Sequence, residues 1–312
     1  MDTRNHRALS LLFLRFSPAQ EALPPGSEQW TFIYTNANDF RVLPGIGNPV
    51  LQEDYEISRL LIGFRTSPSR GTEWYFELPL VARGGGFMDS IIIWWHAHVL
   101  GWSRGARELF PEGRSKLSRA GRYDEGSAFG LGDATAGYRR DLPGGLVLRA
   151  AAELPFGNSG ELLGSGSADL GFSLDVSRPL GKQWTVAVQA AVVLQGDGGR
   201  LDGVRGLVDQ ESLAVIWSPN SKDQWVAQWQ SERAPVETGV SGADATHRLI
   251  TFGYRRRMSA SETLELFFSE DRDLFRGRAP LLANVGPDFT FGVIYRVTRP
   301  ARARASAGQG RE

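Results

Sequence analysis

The sequence predicts an all-β protein, a transmembrane antiparallel up-and-down β-barrel of about 12 strands with a short helical insert after the third strand. Three observations support this fold class. Apolar and polar residues alternate through most of the chain, short and long connections alternate, and aromatic residues gather beside the short connections. A soluble β-sandwich or a large soluble barrel would also show the first pattern. Neither explains the other two, so the membrane barrel is favoured.

Composition narrows the possible functions. The 312 residues include 35 basic and 35 acidic side chains and no cysteine. This balance creates no overall field that would attract nucleic acid, so we expect no nucleic-acid partner. Without cysteine the chain has no disulfide, zinc–thiolate site or thiol nucleophile. No apolar run is long enough for a transmembrane helix, whereas a barrel strand needs an apolar residue only at every second position.

Each predicted strand is defined by that alternation. In the third strand Trp74, Phe76 and Leu78 point to one side, and Glu73 and Glu77 point to the other. Carboxylates do not face lipid, so the second side must line the lumen. In chain order the alternating segments are residues 30–34, 60–64, 74–80, 134–138, 148–154, 170–176, 184–192, 213–217, 225–229, 250–254, 264–268 and 289–297.

The connections between the strands indicate which end of the barrel is which. Short turns, such as residues 67–71 and 142–145, follow the even-numbered strands, and long connections follow the odd-numbered strands. Outer-membrane barrels have short periplasmic turns, long external loops and both termini in the periplasm. The aromatic residues near the short turns would then form a girdle at the periplasmic interface. These residues are Phe64, Trp74, Tyr138, Trp184, Trp217, Trp225, Tyr254 and Tyr295.

Residues 84–130, here called the insert, interrupt the alternation and are predicted to lie at the external mouth or in the lumen. Residues 87–102 within it form an apolar run, with Asp89 at an N-cap position and Gly101 at a C-cap position. This helix is too short to span a bilayer and lacks the basic face of helices that bind lipid headgroups. We therefore expect it to restrict the lumen. Its candidate plug residues are Phe87, Asp89, Trp94, Trp95, His96 and His98.

Charged residues recur on the side of the strands opposite the apolar one. An interior of such mixed charge either pairs into a plug-like network or lines a narrow polar pore. The pore or lumen candidates are Glu73, Glu77, Arg139, Arg149, Glu153, Asp169, Asp175, Arg255, Glu265 and Arg296.

The chain ends complete the predicted domain organisation. We assign residues 1–297 to a single outer-membrane barrel domain and residues 298–312 to a disordered periplasmic tail. Residues 1–16 do not fit a signal peptide, because Arg15 interrupts the apolar run and no small-residue cleavage site follows. We expect a location in the cell outer membrane, with the export signal missing from this sequence.

Several short segments resemble a known family. They are residues 4–9, residues 13–16, residues 77–80, the Gly-Gly-Phe-Met-Asp sequence of residues 85–89 with the following Trp-His-Ala-His-Val-Leu-Gly, and the last strand. Together they resemble a proteobacterial outer-membrane β-barrel family of unknown function. The resemblance implies a barrel over nearly the whole chain, and it implies no catalytic residues.

Three functions remain open at this point: a narrow channel or transporter for small solutes, a structural or interaction barrel without transport, and an outer-membrane lipid hydrolase. The hydrolase would use His247 with Ser231, Ser241 or Ser269, but no Gly-x-Ser-x-Gly sequence is present, and we expect no enzyme. His96 and His98 point to nearly opposite sides of a helix, so neither a metal nor a cofactor is expected. The expected partners are outer-membrane lipids, lipopolysaccharide and the barrel-assembly machinery, and the small-molecule substrate is left open.

Overall fold

A computed structural model describes residues 1–43, 50–99, 101, 110–197, 199–240, 243–271 and 289–300, the side chains of His96 and Asp271 excepted. None of the helices within these ranges has the length and apolar character required to cross a bilayer.

Strands make up most of the described chain. They are β1 (Glu28–Leu43), β2 (Leu51–Ser69), β3 (Thr72–Gly84), β4 (Lys116–Arg119), β5 (Tyr123–Glu125), β6 (Ala128–Leu131), β7 (Ala134–Leu142), β8 (Leu146–Leu154), β9 (Asp169–Leu180), β10 (Trp184–Leu194), β11 (Leu207–Trp217), β12 (Asp223–Glu232), β13 (His247–Arg257), β14 (Glu262–Asp271) and β15 (Phe289–Arg299). The helices are α1 (Ala8–Leu11) and α2 (Met88–His98), and single 3₁₀ turns occupy Pro143–Gly145 and Ser159–Glu161.

Twelve of the described strands close into an antiparallel barrel. Strands β7 to β15 pair in chain order, β15 pairs with β1, β1 with β2, β2 with β3, and β3 with β7. The short strands β4, β5 and β6 add to the external ends of β2 and β3. The predicted fold class, with its helix after the third strand, is confirmed.

The alternation predicted from the sequence is the alternation of the barrel wall. Phe76 is 51 % exposed on the outer side of β3, whereas Glu73 on the same strand is 1 % exposed. The outward row continues onto β2, where Phe64 lies opposite Phe76. Because adjacent residues of a strand point to opposite faces, one apolar row per strand is enough to build a continuous lipid-facing surface.

The aromatic girdle lies at the end with the short turns. Four cross-strand pairs have ring centroids 4.8 to 6.1 Å apart. These pairs are Trp30 with Phe64, Trp74 with Tyr138, Trp184 with Trp217, and Trp225 with Tyr254. Amphipathic rings prefer the level of the lipid headgroups, so this ring marks one membrane interface.

The insert contains the predicted helix, but its N-terminus differs from the prediction. Helix α2 begins at Met88, its N-cap residue is Phe87, and no side chain caps it. The predicted N-cap Asp89 lies in the first turn instead. Its carboxylate accepts hydrogen bonds from the Asn38 side chain (3.0 Å) and from the Gly113 N–H (2.9 Å). Those two fixed partners draw Asp89 toward the barrel wall and away from the helix end.

The last strand extends slightly beyond its predicted end. β15 continues to Arg299, where it pairs with Glu28 at the start of β1, so the predicted domain boundary at residue 297 is two residues too early. The predicted tail otherwise lies almost entirely outside the described residues.

Candidate functional site

The lumen contains the N-terminal segment, residues 1–27, which precedes β1. Followed backward from β1, the segment starts at the end with the short turns and runs along the wall formed by β8 to β11 toward the external end. Its backbone is not in regular structure there, so its N–H donors need partners other than backbone carbonyls. Inward-facing wall side chains accept them: Glu73 from Leu23 (2.7 Å), Asp175 from Ala19 (2.9 Å), Gln210 from Phe16 (2.9 Å) and Asp169 from Leu14 (2.9 Å).

The segment turns at the external end, where α1 forms a single helical turn. Arg7, just before α1, makes a two-pronged ion pair with Glu53 of β2, at 2.6 and 2.8 Å. Arg41 of β1 contacts the same carboxylate at 2.6 Å. Burial opposes the charge of Arg7, but the Glu53 carboxylate outweighs it, and the pKa of Arg7 is raised. This fully buried ion cluster fixes the turn of the segment to the wall.

Next to the ion cluster lies His247, the candidate catalytic histidine. It is fully buried, and its ring contacts the side chains of Asn5 (2.7 Å), Arg7 (3.2 Å) and Glu232 (3.6 Å). No serine hydroxyl among the described residues is hydrogen-bonded to it, and Ser241 lies outside those residues. His247 therefore serves as a contact for the N-terminal segment rather than as the base of a described triad.

The residues that precede the turn in the chain, 1–6, run back along β12 and β13. Thr3 accepts a hydrogen bond from Gln228 (2.8 Å) and donates one to Gln230 (2.8 Å). His6 in this part of the segment is buried, at 1 % exposure. The segment is thus bound to the wall both before and after the turn at α1.

An apolar cluster closes the external end of the described barrel. The segment contributes Leu9, Leu12 and Phe13, each at most 1 % exposed. They pack against the inward side of the wall and against the external loops. The wall and loop residues of the cluster are Tyr55, Ile57, Val81, Leu117, Tyr123, Leu162, Leu163, Leu201 and Val236. This cluster joins segment, wall and loops into one core.

The ten predicted lumen residues all lie on the inward face, and they form a network rather than a clear pore lining. Five of them hold the N-terminal segment through hydrogen bonds to its backbone: Glu73, Asp169 and Asp175 accept from N–H groups, and Arg149 and Arg139 donate to the carbonyls of Ser17 (2.7 Å) and Gln20. Arg296 lies 3.7 Å from the Asp2 carboxylate of the segment. Arg255 and Arg296 both pair with Glu265, and Glu77 lines a cavity of about 20 Å³ beside Asp2 and Arg59. Glu153 is 3 % exposed on the inward side of β8.

Helix α2 does not take part in this site, so the prediction that this helix restricts the lumen is wrong. Leu117 and Tyr123, in the later part of the insert, do belong to the apolar cluster at the external end. Met88 and Ile92 pack against Phe289, which belongs to the outward row of β15. The helix therefore lies outside the wall. Of the candidate plug residues, Phe87, Trp94 and His98 are exposed, Trp95 packs against Phe289, and the side chain of His96 lies outside the described set.

The N-terminal segment is the functional element that the sequence analysis missed. The sequence did contain a sign of it: an apolar run at residues 8–16 does not alternate, Arg4 and Arg7 precede it, and Arg15 interrupts it. An apolar run with buried arginines needs both apolar packing and carboxylate partners, and only the interior of this barrel offers both.

A family model described as "Protein of unknown function (DUF3187)" matches residues 8–274. The chain belongs to this family. The resemblance to an outer-membrane barrel family of unknown function is thereby confirmed, and the match includes most of the N-terminal segment. No curated protein matches the chain.

Solved structures share the fold at low sequence identity. The COG4313 outer membrane channel from Pseudomonas putida F1 superposes with a TM-score of 0.59 at 14 % identity, covering 91 % of this chain and 100 % of that one. The Pseudomonas putida toluene transporter TodX gives a TM-score of 0.46 at 11 % identity, covering 90 % and 92 %. The Ralstonia pickettii toluene transporter TbuX gives 0.43 at 8 % identity, covering 90 % of each chain. These structures are transport proteins rather than enzymes by name, and the likeness to the first shows the outer-membrane barrel fold.

Proposed function

We propose that this protein is an outer-membrane channel for small solutes whose lumen is closed by its own N-terminal segment. The fold supports the location, and the likeness to the COG4313 channel supports the class of function. The mixed charges of the wall suit polar contacts with a chain segment or a passing solute.

One observation carries the proposal: side-chain contacts and apolar packing, rather than strand pairing, hold the lumen occupant. The described segment up to residue 27 makes no β-ladder with the wall. A segment held in this way can leave as a unit without opening the barrel, because the strand hydrogen bonds remain in place. A barrel that is permanently closed would not require a segment that can separate from its wall.

The closed state is asymmetric along the barrel axis. The external end is sealed by the apolar cluster around Phe13, whereas the end with the short turns keeps open space. A cavity of about 340 Å³ lies there between Ala19, Ala187 and Ile216, and a second of about 110 Å³ lies between Gln29 and Arg255. A small solute can therefore enter from the short-turn end without moving the wall, and the segment is the barrier that separates it from the other end.

The test compares the conductance of the full chain with that of a chain lacking residues 2–22 in planar bilayers. The truncated chain should conduct steadily and admit small solutes into vesicles, whereas the full chain should open only rarely. Trp94→Ala, a matched change outside the lumen, should behave like the full chain. Heat-shifted migration on gels verifies that each variant is a folded barrel. If the folded truncated chain conducts no better than the full chain, the protein is a structural barrel and not a channel.

A further inference from the structure

Helix α2 is attached to the outer surface of the barrel wall. The outward row of β15 includes Phe291 and Val293, which are 46 % and 40 % exposed, yet Phe289 in the same row is 4 % exposed. Met88 and Ile92 of α2 cover it, and Trp95 meets its ring edge-on at 6.1 Å. Since Phe289 points away from the lumen, the helix that buries it lies on the side of the wall that faces the membrane.

Polar contacts fix the beginning of α2 in this position. Asp89 accepts from Asn38 (3.0 Å), and the Met88 N–H donates to Glu56. Asn38 and Glu56 are paired neighbours on β1 and β2 and lie in the outward rows of those strands. These contacts orient the helix, and among the described residues they leave its far side exposed.

The far side of α2 is exposed and mainly apolar, with Ser90 and His98 as its polar residues. Phe87, Ile91 and Trp94 are 67 %, 47 % and 55 % exposed. Their spacing of four and three residues places them in one row along the helix. Ile92, one position beyond Ile91, is fully buried on the opposite side. The helix thus has two apolar faces, and the wall accounts for one of them.

The exposed row lies at the height of the outer leaflet. Phe289 is six residues beyond Tyr295, which stands near the short-turn end of β15. Six residues rise roughly 20 Å along a strand and, at a tilt of about 40°, about 15 Å along the barrel axis. The apolar band of such barrels is about 25 Å tall, so α2 lies in its upper part. The side chains of the row are apolar, as are Phe291 and Val293, so the row continues the lipid-facing surface that these two residues form.

We propose that α2 is a membrane-embedded anchor whose Phe87–Ile91–Trp94 row takes up acyl chains of the outer leaflet. A helix satisfies its own backbone hydrogen bonds, so it can lie against hydrocarbon where an irregular loop cannot. Helix α2 lacks the basic face of helices that bind lipid headgroups. Contact with acyl chains requires no basic face. This surface is independent of the channel proposal, because α2 makes no described contact with the N-terminal segment.

The test uses the absence of cysteine in the chain. Single-cysteine variants Ile91→Cys and Trp94→Cys carry a small fluorophore, with Val293→Cys as the lipid-facing reference and Asp124→Cys as the reference in water. Each protein is reconstituted at high dilution into phosphatidylcholine vesicles. Quenching is measured with phosphatidylcholine brominated on its acyl chains and, separately, with aqueous iodide. Heat-shifted migration on gels verifies folding.

The labels at Ile91 and Trp94 should lose emission to brominated lipid to the extent seen at Val293 and should be shielded from iodide. Iodide quenching equal to that at Asp124 would overturn the proposal, because the row would then lie in water. Shielding from both quenchers would also overturn it: shielding that disappears on further dilution would identify a second copy as the occupant, and shielding that persists would identify another part of the same chain.

Discussion

Two apolar runs, residues 8–16 in the N-terminal segment and residues 87–99 around α2, lie on opposite sides of one barrel wall. Both contain aromatic and branched aliphatic side chains, and neither alternates. The first is buried in the lumen, where Leu12 and Phe13 are at most 1 % exposed. The second lies outside the wall, where Trp94 is 55 % exposed. Hydrophobicity alone therefore does not decide which run enters the barrel.

Backbone hydrogen bonding explains the difference. The helical part of the first run is only the four residues of α1, and several of its other N–H groups donate to wall side chains such as Asp169 and Gln210. Both of these acceptors lie on the inward face of the wall, where Asp169 and Gln210 are 2 % and 4 % exposed. The second run forms an 11-residue helix that satisfies most of its own backbone groups. Only a run of this second kind can face hydrocarbon without leaving polar groups unpaired.

The largest effect should come from breaking the anchor that holds the first run inside. Arg7→Ala leaves the buried Glu53 carboxylate with one guanidinium fewer, and removing one partner of a buried ion pair costs about 3–5 kcal/mol. Chemical denaturation of the folded barrel should show this loss. Arg256→Ala, which removes an exposed ion pair with Asp223, should leave the denaturation midpoint unchanged. Equal midpoints for the two variants would mean that the Arg7 ion pair does not hold the segment.

A somewhat smaller effect should separate the two faces of the wall. Val188 lies in the outward row of β10, and its neighbour Ala187 lines the lumen cavity. Val188→Arg should cost about 2–4 kcal/mol near the membrane midplane. Ala187→Arg should cost far less, because its side chain can extend into a cavity that the carboxylates of Glu21 and Asp175 also line. Unfolding of both variants in vesicles measures the contrast, and similar losses would contradict the assignment of lipid-facing and lumen-facing rows.

The contrast within α2 should be smaller still. Ile92 is fully buried on Phe289, so Ile92→Ala should lower the free energy of unfolding by about 2 kcal/mol. Ile91→Ala on the exposed side should change it by less than about 0.5 kcal/mol in detergent. Hydrogen exchange of the α2 amides reports both values locally. Faster exchange in Ile91→Ala than in Ile92→Ala would show that the helix is docked by its other face.

The barrel itself could be predicted from the sequence because its signal is repeated in every strand. Outward residues such as Phe76 and inward residues such as Glu73 alternate along each strand. A wrong assignment in one strand does not change the assignment of the next. The inward position of charges such as Asp175 followed from the same alternation. What these charges bind could not be predicted, because the alternation says nothing of partners distant in sequence, such as Ala19 for Asp175, 156 residues away in the N-terminal segment.

The position of the two apolar runs was not predictable from apolar character alone. Both runs needed burial, and only one lumen was available. The choice depends on contacts distant in sequence, such as Arg7 with Glu53 and Asp89 with Asn38. Arg15 inside the first run and Arg7 just before it were the one local sign that this run needed carboxylate partners. The second run, between residues 87 and 99, contains no arginine or lysine.

A reversible cross-link tests most directly whether the N-terminal segment closes the lumen. Thr3 and Gln230 are hydrogen-bonded across the lumen at 2.8 Å, so cysteines at these two positions lie within reach of a short cleavable thiol cross-linker. Single-channel recordings follow the cross-linked protein before and after cleavage, with the Gln230→Cys variant treated in the same way as control. If the segment closes the lumen, openings should disappear on cross-linking and return on cleavage, with no change in the control. Openings that continue unchanged in the fully cross-linked protein would show that the segment does not close the lumen.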